Sequence, residues 1–224
     1  MIEVDVRQRV LAANAAAAQA LRGNFLASRT LVVNLISSPG SGKTTLLEAT
    51  ARALKQRLRL GGLDGDIATE RDAQRLRGAG IPARQILTGG ACHLDARQVE
   101  KALAEEGSRL ANLDVLFIEN VGNLICPTSY DLGEDFKVAL LSVVEGDDKP
   151  FKYPGIFSRA AVTVITKADL LPHVDFDLEA VREQVAALSP SARFLVTSAR
   201  SGEGMEAWFA LLTGELSRKR AAVG

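Results

Sequence analysis

Thr30-Leu31-Val32-Val33-Asn34-Leu35-Ile36-Ser37-Ser38-Pro39-Gly40-Ser41-Gly42-Lys43-Thr44 runs from an apolar stretch into a turn of small residues that closes on Lys-Thr. The apolar part reads as a buried strand. From Ser37 the turn fits G-x-x-x-x-G-K-S/T except at its first position, where Ser stands for Gly. Small residues let backbone N–H groups curl around phosphate oxygens, and the helix that follows points its positive end at them. Lys43 would reach the β- and γ-phosphates, and the Thr44 hydroxyl would bind Mg²⁺. Gly40, Ser41, Gly42 and Thr45 complete the expected nucleotide contacts of this segment. Ser37 stands where a positive φ is expected. The stretch therefore predicts a site for a nucleoside triphosphate with Mg²⁺.

Working outward, residues 3–26 read as one helix, with Val6, Val10, Leu11 and Leu21 at helical spacings and Ala between them. The turn feeds a helix from about Gly42 to Arg57. Further strands are expected at Leu58–Asp64, Ala83–Leu87, Val115–Glu119, Val138–Val144, Val162–Thr166 and Phe194–Thr197. Helices are expected at Thr69–Gly80, Leu94–Ala111, Asp177–Leu188 and Met205–Arg220. Gly146–Gly155, dense in charge and proline, reads as a loop. Strands alternating with helices imply right-handed crossovers. The expected fold is α/β: a three-layer P-loop NTPase with a mainly parallel sheet, preceded by an N-terminal helix. Residues 1–29 would be that helix and 30–224 the nucleotide-binding domain, one domain overall.

Lys+Arg and Asp+Glu balance at 27 each, so bulk charge gives no reason to expect a nucleic-acid or membrane partner. No apolar run approaches the roughly 18 residues needed to cross a bilayer. The start, Met1-Ile2-Glu3-Val4-Asp5-Val6-Arg7, lacks the pattern of a secretory signal. Two cysteines are too few for a disulfide framework. A cytoplasmic protein with reduced thiols is the expectation.

A P-loop protein needs an acid at a strand end to hold Mg²⁺. Glu119 ends the buried strand Asp114-Val115-Leu116-Phe117-Ile118, and Glu119-Asn120-Val121-Gly122 imitates a D-x-x-G element with Glu for Asp. Gly122 would offer its N–H to the γ-phosphate. Asp64-Gly65-Asp66 ends the second strand at the same edge of the sheet. Asp66 is the candidate second Mg²⁺-linked carboxylate, with Asp64 its nearest competitor and Asp72 a third possibility. Lys43, Thr44, Asp66 and Glu119 are thus the expected catalytic set.

Thr166-Lys167-Ala168-Asp169 resembles the guanine motif N-K-x-D with Thr for Asn. Asp169 would accept from the guanine N1–H and 2-amino group, a donor pair adenine lacks. Lys167 would lie along the ring plane on its aliphatic stem. Losing the Asn is expected to remove one brace of the loop. Thr197-Ser198-Ala199-Arg200 after the last strand would bring the Ala199 backbone to the guanine oxygen, so Ser198, Ala199 and Arg200 join the nucleotide set. GTP is therefore expected over ATP.

Cys92-His93 lies in Gly89-Gly90-Ala91-Cys92-His93-Leu94-Asp95, and Cys126 lies four residues past Gly122. Thiolate and imidazole suit Zn²⁺ and Ni²⁺. Both segments follow strands near the nucleotide edge. Three ligands from one chain leave a coordination position open, and two chains meeting here would share one or two ions. Hydrolysis would move the loop that carries Cys126.

These residues resemble HypB, a family of GTPases that help insert nickel into nickel–iron hydrogenase. The resemblance runs from about Val33 to Trp208. It is carried by the 37–44 turn, Gly65-Asp66-Ile67-Ala68-Thr69, Gly90-Ala91-Cys92-His93-Leu94, Glu119-Asn120-Val121-Gly122-Asn123-Leu124, Glu145-Gly146-Asp147-Asp148-Lys149-Pro150 and Ser201-Gly202-Glu203-Gly204-Met205. It implies the SIMIBI class of P-loop proteins, which work as nucleotide-dependent homodimers. It also implies that Cys92, His93 and Cys126 bind Ni²⁺ or Zn²⁺ near the dimer interface, and that Lys152 reaches the partner's nucleotide. A HypA-like nickel/zinc accessory protein would be the partner, and the hydrogenase large subunit would be served indirectly. The Cys-rich or His-rich nickel motifs of some members are missing: the two histidines are His93 and His173. Nothing resembles the Gln that positions water in fast GTPases, so slow hydrolysis is expected. Three other readings compete. A urease accessory GTPase expects Cys-Pro-His, whereas here Cys92 and His93 are adjacent. The others are a metal-binding regulatory module and an ATP-using kinase.

Overall fold

The computed structural model describes residues 2–66 and 70–223, with side chains from residue 8 onward within those ranges. Ile67, Ala68 and Thr69 of the second motif lie outside the described residues, as does the side chain of Val6. Helix α1 (Ile2–Ala27) leads into β1 (Leu31–Ser37), α2 (Lys43–Leu54), β2 (Leu60–Asp66), α3 (Arg71–Ala79), β3 (Ala83–Leu87), α4 (Ala96–Glu106) and β4 (Val115–Glu119). Then come β5 (Phe136–Ser142), α5 (Lys149–Lys152), α6 (Pro154–Arg159), β6 (Val162–Thr166), α7 (Leu178–Leu188), β7 (Arg193–Val196) and α8 (Met205–Ala222). No described helix is long and apolar enough to cross a membrane.

Two expectations are corrected here. Gly146–Gly155 is not a loop: it holds α5 and the start of α6. Pro150 and Pro154 fall in the first turns of these helices, where a missing N–H costs nothing. The helix expected from Leu94 starts two residues later. Asp95 caps it, accepting from Gln98 N at 2.8 Å while Gln98 Oε1 accepts from Asp95 N at 2.9 Å.

The seven strands are all parallel, in the order β3-β2-β4-β1-β5-β6-β7. From β1 the chain winds outward to β2 and β3, returns to insert β4 beside β1, then crosses to β5. This reversal opens a crevice beyond the carboxyl ends of the central strands. The register sets Leu35 and Asp64 on either side of Glu119.

Alternation along β1 divides the core. Leu31, Val33 and Leu35 pack with α2, α3 and α8, where Trp208 Nε1 donates to Thr50 Oγ1 at 2.9 Å. Val32 faces α1 and α4 with Leu63, Leu116 and Ile118, and Ile36 faces α6 and α7 with Leu141 and Ile165. Three layers result, as expected, with the strand ends left free for chemistry.

Candidate functional site

The turn after β1 is shaped by Gly40 (φ 78°) and Gly42 (φ 94°), the second being the N-cap just before α2. Both are in the left-handed region that favours glycine. Ser37 is not: it ends β1, and among the described non-glycine residues only Arg29, Asn112 and Lys167 have positive φ. The expectation of a strained first position is therefore corrected. Ser37 Oγ instead lies 3.0 Å from Lys43 Nζ and accepts its hydrogen bond, while donating to Ser38 O at 2.8 Å. Ser41 Oγ donates to Ser38 O at 2.7 Å and steadies the turn.

Thr44 Oγ1 donates to Glu119 Oε1 at 2.9 Å, joining the start of α2 to the end of β4. Asp64 and Glu119, side by side in register, are 2% and 3% exposed. Among the described residues, neither Asp64 Oδ2 nor Glu119 Oε2 has a hydrogen-bond partner. Burial, then the neighbouring Glu119, pushes the Asp64 carboxyl up to about 8. Burial raises Glu119 to about 7, against the pull of Lys43 and the Thr44 hydroxyl. Two buried acids with unpartnered oxygens beside a threonine hydroxyl fit a hard divalent cation such as Mg²⁺, which takes oxygen ligands. Asp66 lines the same crevice and is less buried than Asp64. Asp72, at the crevice mouth, pairs with Arg75 at 3.2 Å, and Arg75 also donates to Thr45 Oγ1 at 3.1 Å and to Glu48.

Gly122 closes the crevice from the other side. A Cβ built on it would lie 2.8 Å from Pro39 Cγ and 2.9 Å from Pro39 N. Only glycine lets the segment after β4 press this closely on the phosphate turn.

Next to the turn is a cavity of about 180 Å³ lined by Thr166, Lys167, Asp169, Ser198, Ala199 and Arg200. The brace expected to be lost with Asn is present in another form. Thr166 Oγ1 donates to Ser41 O at 2.6 Å, and Lys167 Nζ to Gly40 O at 2.9 Å. Ser198 Oγ donates to Asp169 Oδ1 at 2.6 Å and holds that carboxylate at the cavity. Lys152 is exposed on α5, paired with Asp148.

At the same edge, the ligand atoms of Cys92, His93 and Cys126 all lie within 4.8 Å of one another, with Cys92 Sγ 3.7 Å from His93 Nδ1. Metal–thiolate and metal–imidazole bonds of about 2.0–2.3 Å put neighbouring ligands roughly 3.3–3.8 Å apart, so the three converge to within a small adjustment of a metal site. The Cys126 thiol bonded to it, and then burial, raise Cys92 above its ordinary value, whereas burial lowers His93. A neutral imidazole is the form that binds metal.

Several residues around this cluster escaped the sequence reading. Tyr130 stacks on His93 with ring centroids 3.8 Å apart. Asn123 Nδ2 donates to Cys92 O at 3.4 Å, and Asn120 Oδ1 accepts from Leu94 N at 3.2 Å. Asn14, far off on α1, accepts from Ala96 N and donates to Asp131 O, both at 2.8 Å. Asn120 and Asn123 sit inside the quoted 119–124 motif; nothing in spacing marks Asn14 or Tyr130.

Residues 31–196 match the family described as CobW/HypB/UreG, nucleotide-binding domain. The chain is 50% identical over 207 residues to the hydrogenase maturation factor HypB of Azotobacter vinelandii, covering 92% of this chain and 67% of that protein. Among solved structures, HypB from Helicobacter pylori in complex with nickel superposes with a TM-score of 0.85 at 41% identity, covering 94% of this chain and 96% of that one. HypB from Archaeoglobus fulgidus gives 0.85 at 38% identity, over 92% and 99%. The fold is that of the P-loop NTPases.

Proposed function

Because the chain belongs to the HypB family of hydrogenase maturation factors, we propose that it is a GTP-hydrolysing metallochaperone that handles nickel for nickel–iron hydrogenase. One observation carries this reading. Gly122, pressed on the phosphate turn at Pro39, and Cys126, in the metal cluster, belong to one short segment after β4. What the triphosphate does to the first reaches the second.

In this reading Lys43 and the backbone from Gly40 to Thr45 hold the phosphates, and Gly122 offers its N–H to the γ-phosphate. Lys43 leaves Ser37 Oγ for a phosphate oxygen, its partner among the described residues being a neutral hydroxyl. Asp169, held by Ser198, selects guanine, with Thr166 and Lys167 bracing the turn and Ala199 and Arg200 flanking the base. Thr44 and Glu119 would hold Mg²⁺ with Asp66, and the unpartnered oxygen of Asp64 makes that residue a fourth contributor. The ion would neutralise charge on the phosphates. Among the described residues no Gln lines the crevice to position water as in fast GTPases, so slow turnover is expected.

Cys92, His93 and Cys126 take nickel as cargo, or zinc in its place. Ile125 and Phe151, 66% and 57% exposed beside the cluster and on α5, support a homodimer across this edge. Lys152 would then reach the partner's nucleotide. A HypA-like accessory protein would receive or supply the metal, in the cytoplasm, on the way to the hydrogenase large subunit. Residues 1–29 and 30–224 form one domain in this account, since Ala18, Leu21 and Phe25 share a core with Leu94 and Val99.

The test measures Ni²⁺ affinity and dimer fraction with Mg-GDP and with a non-hydrolysable GTP analogue. Both are expected to differ between the two nucleotides. Identical values would remove the coupling, and undetectable hydrolysis with metal and partner present would favour a regulatory module.

A further inference from the structure

Leu94 directly follows the metal-cluster residue His93, and both its backbone and its side chain rest on the nucleotide edge. Its N–H donates to Asn120 Oδ1 at 3.2 Å. Its side chain covers Gly65 so closely that a Cβ there would meet Leu94 Cγ at 2.7 Å. Asn120 follows Glu119 at the end of β4, and Gly65 lies between Asp64 and Asp66 at the end of β2. The residue after His93 is thus wedged between the two strand ends that carry the buried acids.

Asn120 is 1% exposed and tied on every side. Its Oδ1 also accepts from Val121 N at 3.0 Å, and its Nδ2 donates to Asn34 Oδ1 at 3.3 Å. Val121 leads to Gly122, which touches the phosphate turn. A single amide oxygen therefore holds two backbone N–H groups, one leading to the γ-phosphate contact and the other to His93. A shift of one draws on the bond to the other, because a buried donor left without its acceptor is costly.

The far side of the same loop is fixed differently. Ala96 N donates at 2.8 Å to Asn14 Oδ1 on α1, which does not take part in the crevice. The Cys92–Asp95 segment is therefore held at one end by Asn14, away from the crevice, and at the other by Asn120, at the crevice.

Resting on the coupling proposed above, we propose that Asn120 is a positioning residue. It transmits the nucleotide state to His93 through the Leu94 amide, by a route separate from the chain connection between Gly122 and Cys126. Both halves of the metal cluster then respond to the triphosphate.

The experiment uses the full chain and Ni²⁺, with affinity read by competition against a chromophoric chelator in Mg-GDP and in the Mg-bound GTP analogue. Wild-type affinities are expected to differ by at least about fivefold, the lower end of typical site-to-site coupling. Asn120→Ala is expected to lower that ratio by at least about twofold while leaving it above unity, because the connection between Gly122 and Cys126 remains. Asn14→Ala is expected to weaken Ni²⁺ similarly in both states and to keep the ratio. If Asn120→Ala keeps the wild-type ratio, the proposal is overturned while the coupling stands. A wild-type ratio of one overturns the coupling itself. Should Asn120→Ala fail to fold, the wild-type amide resonances decide. Leu94 N–H is expected to move on exchanging GDP for the analogue, and by more than Ala96 N–H. A stationary Leu94 resonance beside a nucleotide-dependent Ni²⁺ affinity overturns the proposal.

Discussion

The phosphate crevice and the metal cluster share one edge of the sheet but are held by different means. In the crevice the backbone itself is the scaffold: glycines at 40, 42 and 122 set its path, and Thr44, Thr166 and Lys167 tie the turn to β4 and β6 through direct bonds. The cluster has no such frame. Cys92 and His93 lie outside helix and strand, and Cys126 opens a short 3-10 turn. Its shape is set by the side chains of Asn120 and Asn123 after β4, Tyr130 further along, and Asn14 from α1. A site built on element ends is preorganised for its ligand, whereas one hung on side-chain amides can be re-set by whatever moves those amides. On the function proposed above, the first suits a tightly held nucleotide and the second a cargo that must be released.

The comparison breaks most sharply if either region fails to stand alone. Lys43→Ala removes the cation at the phosphates, and GTP hydrolysis is expected to fall about 100- to 1,000-fold. Nucleotide-free Ni²⁺ affinity, measured on the same preparation, is expected to stay within about threefold, since among the described residues the Lys43 side chain bonds only Ser37. A large loss of metal affinity would mean that the cluster is not an independent site. The converse variant, Cys126→Ser, removes a thiolate. Ni²⁺ binding is expected to weaken at least about 100-fold, the upper end of what outer-shell changes cost. Metal-free hydrolysis is expected to persist, because Cys126 bonds no group of the crevice that is described here. Steady-state phosphate release and chelator competition check the two halves.

Sequence made the crevice legible because its signals are local. A buried strand, a glycine turn and a helix follow one another within residues 30–57, and the motif carries its own mechanism. Cys92, His93 and Cys126 could be nominated by chemistry, but their convergence to 4.8 Å is a tertiary fact. Asn14 was out of reach: its bonds to Ala96 and Asp131 depend on how α1 lies against α4. The pairing of Asp64 with Glu119 was equally hidden, since it follows from the register of β2 on β4. At 146–155, density of charge and proline pointed to a loop, while the position of each proline in a first turn decided for helix. Ser37 was judged by the Gly it replaces, and its use as an acceptor for Lys43 needs the folded turn.

A milder test concerns the two buried acids of the crevice, each with an oxygen that has no hydrogen-bond partner among the described residues. Asp64 and Glu119 have folded values of about 8 and about 7, against ordinary carboxyl values near 4. The folded chain therefore binds more protons than the unfolded one between those limits. Its stability is greatest below about pH 4 on this account and is lost as pH rises towards about 8. Nucleotide-free melting temperature is expected to drop between pH 6 and 8.5 by at least about 2–4 °C, the shift that about 1 kcal/mol produces at this size. Asp64→Asn is expected to flatten the slope. Mg-GDP is expected to flatten it too, with protons released on binding, because a cation favours the charged carboxylates. A slope unchanged by Asp64→Asn would show that the paired acids are not the source.

The smallest expected effect lies at the cluster and asks whether side chains alone shape it. Tyr130 contributes a ring face to His93 and no ligand atom. Such a contact is worth about 0.5–1.5 kcal/mol, so Tyr130→Leu is expected to weaken Ni²⁺ binding by about 2- to 10-fold. The ring also helps bury His93, whose burial keeps the imidazole neutral and ready for metal. Loss of the ring should thus raise the His93 value and move the pH at which Ni²⁺ binding reaches half its maximum upward, because a proton now competes at higher pH. Tyr130→Phe keeps the stack and should restore both. If Tyr130→Leu leaves affinity and pH midpoint untouched, the ring is packing only. The cluster would then be held by Asn120, Asn123 and Asn14 alone, and the contrast with the crevice would narrow to three amides.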